Sequence, residues 1–132
     1  MNRAALLLLS LAAIAACTDR AIAPPASPLS LQLALASPQS DDGAIVITLH
    51  GPAVSDVRAV SGAYLAFTRA AGAEETRVIV VGDLLAGPVF TFTAGAGHRL
   101  GDYSASIEQV ATRADALRGD LSGYGVTIVP KP

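Results

Sequence analysis

The chain has 132 residues, 52% of them hydrophobic, 9 Lys and Arg against 11 Asp and Glu for a net charge of −2, and no Trp. That length suits one globular domain behind any targeting segment, and the sparse, slightly acidic charge excludes a nucleic-acid partner, which needs a basic face. One Cys excludes an internal disulfide and no Cys/His cluster has zinc spacing, so stability rests on an apolar core with no metal or cofactor.

Met1 to Arg3 is a short positive start, and Ala4 to Ala16 is apolar except for Ser10, the length and polarity of a secretory h-region. A spanning helix needs about 20 apolar residues, and Thr18, Asp19 and Arg20 end this run too early for one. Ile14-Ala15-Ala16-Cys17 resembles the lipobox of bacterial lipoproteins, in which small residues precede a Cys. The resemblance implies lipidation of the Cys17 sulfur, cleavage between Ala16 and Cys17 with Ala15 in the flank, and an anchor in the bacterial envelope. Sulfur suits this chemistry as the strong side-chain nucleophile near neutral pH. Each buried CH₂ adds about 0.8 kcal/mol, so two or three acyl chains hold a protein to a bilayer where one is marginal. Thr18 directly after the Cys implies, within that family, the outer membrane of a two-membrane cell. The other reading is secretion after cleavage at Ala13-Ile14-Ala15, leaving a free thiol at Cys17.

Residues 1–16 are thus read as a cleaved signal helix and 17–28 as a lipidated N-terminus with a linker. Pro24, Pro25 and Pro28 make that linker an extended tether, about 3.1 Å per residue. From Leu29 the period is two: Leu29, Leu31, Leu33 and Leu35 alternate with Ser30, Gln32 and Ala34. The turn SPQSDDG ends this strand, and further strands are predicted at 44–50, about 54–60, 63–69, 76–82, 88–94, 102–111 and 123–129. Gly51-Pro52, Ser61-Gly62, Gly72, Gly87-Pro88 and AGAGHRLG separate them as turns. Residues 29–132 therefore predict an all-β domain, an antiparallel two-sheet sandwich of about eight strands. Ile107, Val110, Ala111, Ala114 and Leu117 also fall at helical spacing, which leaves a short helix within 106–118 as an alternative.

Taken together, GAIVITLHGPAV, TRVIVVGDLLAGPVFTFTA, YSASI and GYGVTIVP resemble the cohesin-like β-sandwiches and their jelly-roll-like relatives among bacterial carbohydrate-binding modules, over residues 29 to 130. The resemblance implies binding without catalysis: docking of a protein partner, with a glycan ligand or a structural role in envelope assembly as alternatives. Contact residues of neither family map onto this chain, and the missing Trp removes the usual sugar-stacking residue.

Residue chemistry points the same way. His50 and His98 could meet Ser55, Ser61 or Ser122 and an Asp, yet Gly-x-Ser-x-Gly and His-Glu-x-x-His are absent. The glycines at 95, 97 and 101 lead into a strand where phosphate binding needs a helix N-terminus. Asp41-Asp42-Gly43 reads as a turn, since a calcium loop needs further spaced ligands. Tyr64, Tyr103 and Tyr124 share strand faces with apolar neighbours and are expected at the core or its edge. By residue type alone, a binding surface is placed at Tyr64 and Tyr103 beside Arg58, Arg69 and Arg99.

Overall fold

The computed structural model describes residues 22–132; the expected signal segment at 1–16, with Ala15 and Ala16, and the lipidation site at Cys17 lie outside the described residues. No described helix is long and apolar enough to cross a membrane. Ile22 to Pro28 are exposed and carry no regular secondary structure. Eight strands follow: β1 (Leu29–Ala36), β2 (Asp42–His50), β3 (Ser55–Ala59), β4 (Tyr64–Gly72), β5 (Glu75–Leu84), β6 (Gly87–Ala94), β7 (Ser104–Thr112) and β8 (Gly125–Pro130). A 3₁₀ turn at Leu100–Asp102 precedes β7. The strands form two four-stranded sheets in the orders β3-β6-β1-β8 and β4-β5-β2-β7, every pairing antiparallel.

Alternation builds the core. Leu31, Leu33 and Leu35 of β1, with Phe90 and Phe92 of β6, form one buried layer; Ile45, Ile47 and Leu49 of β2, with Val78 and Val80 of β5, form the other. Pairings such as Leu31 with Phe92 and Ile47 with Val78 put large side chains directly opposite across strands, where they pack closely. The Phe92 ring also meets the edge of Tyr103 at a 5.7 Å centroid distance. Each fully buried aliphatic or Phe side chain stabilises the fold by about 1.5–3 kcal/mol.

The chain forms no helix over 106–118. Strand β7 runs to Thr112, and an irregularity opposite Val46 and Ile47 inserts Glu108, so that Gln109 pairs with Val46 and Ile107 with Ile47. The extra residue makes the inward positions Ala105, Ile107 and Val110, a spacing that imitates a helical face. Beyond Thr112 the chain returns on itself: Thr112 N–H donates to Ala116 O, and Arg118 N–H to Val110 O.

The other outcome of the alternation is on the outside. Beyond sheet β3-β6-β1-β8 the outward positions are mostly polar, including Ser30, Gln32, Thr91, Thr93 and Thr127. Outside sheet β4-β5-β2-β7 they include Leu65, Phe67, Ile79 and Val81, all exposed. Ile47→Ala, at the centre of the inner layer, is expected to cost about 2–5 kcal/mol. Chemical denaturation of the two proteins measures this, with Ile79→Ala on the outer face of the same sheet expected to cost far less.

Candidate functional site

Two constructions stand out, one at an end of the sandwich and one on a face. At the end, strict alternation from Ile45 would turn Asp42 outward with Ala44 and Val46. The irregularity between Asp42 and Ala44 reverses this, and Asp42 is fully buried. Gly43 makes the bend feasible, because a Cβ there would lie 2.8 Å from Arg113 Cα.

The buried carboxylate is fully engaged. Ser37 Oγ donates to Oδ2 at 2.7 Å, and the Tyr124 hydroxyl lies 2.8 Å from Oδ1 and 3.0 Å from Oδ2. Arg118 Nε donates to Oδ1 at 2.8 Å, while its Nη2 reaches both Asp42 and Asp41. Burial pushes the Asp42 carboxyl up, but the hydrogen bonds from Ser37, Tyr124 and Arg118 and the Arg118 charge outweigh it and hold it below its ordinary 3.8. The Tyr124 hydroxyl is pushed up by burial and by its bond to Asp42. With Ser37 Oγ, the Tyr124 hydroxyl and Arg118 Nε and Nη2 all directed at carboxylates, this cluster fixes the 113–124 connection to the β1–β2 turn. It is structural.

The face is different. Outward residues of β4, β5, β2 and β7 line up in rows set by register: Leu65, Val81, Ala44 and Ala111; then Phe67, Ile79, Val46 and Gln109; then Arg69, Arg77, Thr48 and Ser106. Two apolar rows thus lie beside one that starts with two arginines. A groove of about 470 Å³ crosses the strands here, lined by Val46, Ile79 and Phe67, by Arg69 and Arg77, and by Glu108 and Gln109 of β7. Leu65 is 61% and Phe67 56% exposed, unusual for large apolar side chains next to one another.

The arginines are the less comfortable part. Arg69 and Arg77 are directly opposite on neighbouring strands, an arrangement in which like charges repel. Neither enters an ion pair among the described residues. Arg77 Nε is shielded from solvent with no hydrogen-bond partner. The face can therefore take an apolar surface together with an anionic group.

One row further, His50 Nδ1 lies 3.4 Å from Glu75 Oε1 and its Nε2 3.4 Å from Ser106 Oγ. The order Ser, His, Glu is that of a nucleophile with its base and orienting acid, formed with a serine not among those weighed from the sequence. Yet the His50 and Glu75 side chains are 41% and 47% exposed on an open strand surface, and Ser106 Oγ also donates to Glu108 at 3.3 Å. Nothing in this arrangement excludes water or strips the serine of its competing carboxylate. His98 pairs separately with Asp102 at 3.7 Å. No group of three or more His, Cys, Asp or Glu among the described residues could hold a metal ion.

The five residues expected to form a binding surface are not brought together. Arg69 lies on the face just described. Tyr64 is half-buried against the core, Arg58 is on β3 of the other sheet beside Asp56, and Arg99 precedes the 3₁₀ turn. Tyr103 is buried, donates its hydroxyl to Pro52 O at 2.7 Å and fills the space that a Cβ on Gly51 would need. An amphipathic ring on an alternating strand points inward here because the apolar layer is on its side. Leu65, Phe67, Ile79, Val81 and Arg77 escaped the sequence reading. Their signal is the unbroken run Val78-Ile79-Val80-Val81, which in a strand puts apolar side chains on both faces.

No family model matches the chain, and no curated protein or solved structure matches it significantly.

Asp42→Asn is expected to destabilise the fold by about 1.5–3 kcal/mol at neutral pH, the range for hydrogen bonds to a charged group. Because the folded carboxyl titrates below 3.8, its contribution is complete above that value and is lost as pH falls through the lower folded one. Denaturation curves at neutral pH and below pH 4 should show wild type losing stability in acid more steeply than Asp42→Asn.

Proposed function

We propose that the chain is an exported lipoprotein, anchored in the bacterial envelope through lipidated Cys17 with the outer membrane favoured, whose β-sandwich binds a protein partner without catalysis. The cohesin-like resemblance supplies the class of activity. The observation that carries the reading is the contrast between the sheet surfaces: a mostly polar one outside β3-β6-β1-β8, and an apolar band with two arginines outside β4-β5-β2-β7. A solvated surface has no use for neighbouring Leu65 and Phe67, whereas an interface core uses apolar and aromatic side chains with Arg beside them. The tether of 17–28 suits such a role, since it lets a membrane-bound domain search for its partner.

Two features weigh against the glycan alternative. The chain has no Trp, and Phe67 is the exposed aromatic side chain on this face, where a sugar platform uses a row of rings. The structural or assembly role has a specific observation in its favour: the edge of β4 pairs with no further strand. It would employ the same surface for a permanent partner, and the mass of the complex extracted from membranes separates it from a transient docking module.

Metabolic labelling with a fatty-acid analogue should mark the wild-type chain and leave Cys17→Ala unmarked; equal labelling removes the anchor. Phe67→Asp should abolish capture of the partner by the full-length protein while leaving its melting temperature within a few degrees. Retained capture by that variant moves the interface elsewhere. Hydrolysis of p-nitrophenyl acetate should run at the same background rate with wild type and Ser106→Ala, and a slower variant would give the Ser106–His50–Glu75 row a catalytic role.

A further inference from the structure

The four sheet edges are not alike. The end of β7 is covered by its own return, through Arg118 N–H to Val110 O and a bridge between Ala111 and Leu117, and β8 packs beside β7. Strand β3 is short, five residues with an irregular pairing to β6. Strand β4, although β3 packs beside it, is nine residues long, hydrogen-bonds to β5 alone among the described residues, and is exposed continuously from Phe67 to Gly72. Its outer main-chain groups are a template for a further strand, and such long edges are normally blunted by a charge, a proline or a cover. The one charge on β4 is Arg69, which faces Arg77 across the sheet; Glu108 lines the same groove, yet neither arginine forms an ion pair among the described residues.

Resting on the reading of this face as a protein-binding surface, we propose that β4 takes up an extended acidic segment of the partner as a fifth strand. In this arrangement the segment's carboxylate lies against Arg69 and Arg77 while its next outward side chains, both apolar, cover Phe67 and Leu65. Main-chain hydrogen bonds along the edge supply affinity, and alternate side chains on the outer face supply specificity. The segment runs antiparallel to β4, as every neighbouring pair does. Read from its N-terminus it is therefore acid, any residue, apolar, any residue, apolar. The carboxylate accepts from the two guanidinium ends and relieves their repulsion. Pairing of β4 with the β4 of a second copy does not meet the requirement, because this strand reads YLAFTRAAG and carries no acid to offer.

The test uses the full-length protein and a fluorescein-labelled heptapeptide, Thr-Glu-Thr-Val-Thr-Val-Thr, with binding followed by anisotropy. Saturable binding is expected. Glu to Gln in the peptide and Arg69→Gln in the protein should each weaken it at least about tenfold, with little further loss when combined, because both remove the same contact. N-methylation at alternate peptide nitrogens should abolish binding for the set that faces β4 and spare the set offset by one residue. Both exposed-site variants, Arg69→Gln and Phe67→Ser, are expected to fold, which circular dichroism checks. If the Gln peptide binds as well as the Glu peptide, the acidic pairing is overturned. Equal binding by both N-methylated sets overturns strand addition, and so does a wild-type protein that binds no peptide at all. Dihexanoyl phosphatidylglycerol perturbing Arg69 and Arg77 in NMR spectra while the peptide does not bind would overturn it in favour of a lipid. None of these failures touches the wider reading, which falls only if Phe67→Asp leaves partner capture intact.

Discussion

One buried carboxylate governs how the sandwich is closed. Asp42 sits at the first position of β2 with no solvent exposure, and it receives Ser37 from the end of β1, Arg118 from the return after β7 and Tyr124 from the approach to β8. A buried charge is costly unless paired and fully hydrogen-bonded. That requirement is met only when these three segments arrive together, so the cluster favours one arrangement of the loops at that end. The opposite end is closed by a neutral contact, the Tyr103 hydroxyl on Pro52 O beside Gly51.

The consequence runs outward from there. By holding the 113–124 connection against the sheet, the Asp42 cluster keeps the end of β7 covered and delivers β8 to its place beside β1. On the other side of the same sheet β3 packs beside β4, but no described strand or return hydrogen-bonds to its outer edge. The molecule therefore has one protected lateral side and one open one, and the open side adjoins the apolar rows led by Leu65 and Phe67. Around β4, Tyr64 and Ala66 pack on the core while Leu65 and Phe67 remain exposed beside the two arginines. An incomplete surface beside a complete one is how a binding face differs from mere exposure.

The arginines sharpen this contrast. Arg118 spends its donors on Asp41 and Asp42, and Arg113 reaches Asp83 and Ser40 O, so both serve the fold. Arg69 and Arg77 are placed by register opposite each other and form no ion pair among the described residues. A like-charged pair held on a rigid sheet keeps its place because the backbone ladder fixes it.

Much of the architecture was legible from residue order. The alternation of Leu29 to Leu35, the run AIVITLH and the glycine- and proline-marked turns determine strand number, strand limits to within a few residues and the buried layer, because a pleated strand has period two and a turn needs special dihedrals. The expected leader and lipidation at Cys17 also rest on local chemistry, in a segment outside the described residues. What the order of residues left open depends on partners far along the chain. Asp42 looks like a turn residue until Arg118 and Tyr124, 76 and 82 residues away, are brought to it. The helical spacing over 106–118 proved to be a strand with one residue inserted opposite Val46 and Ile47. Tyr103 and Tyr64 were legible as residues of the core or its edge, which rules out the alternative placement of Tyr103 in a binding surface, and Phe67 and Arg77 became neighbours only through strand pairing. Period and turn chemistry are local properties that the sequence by itself determined. Which face meets the core, which edge stays open and which charges lie opposite each other are properties of register and sheet order, and those only the tertiary structure decided.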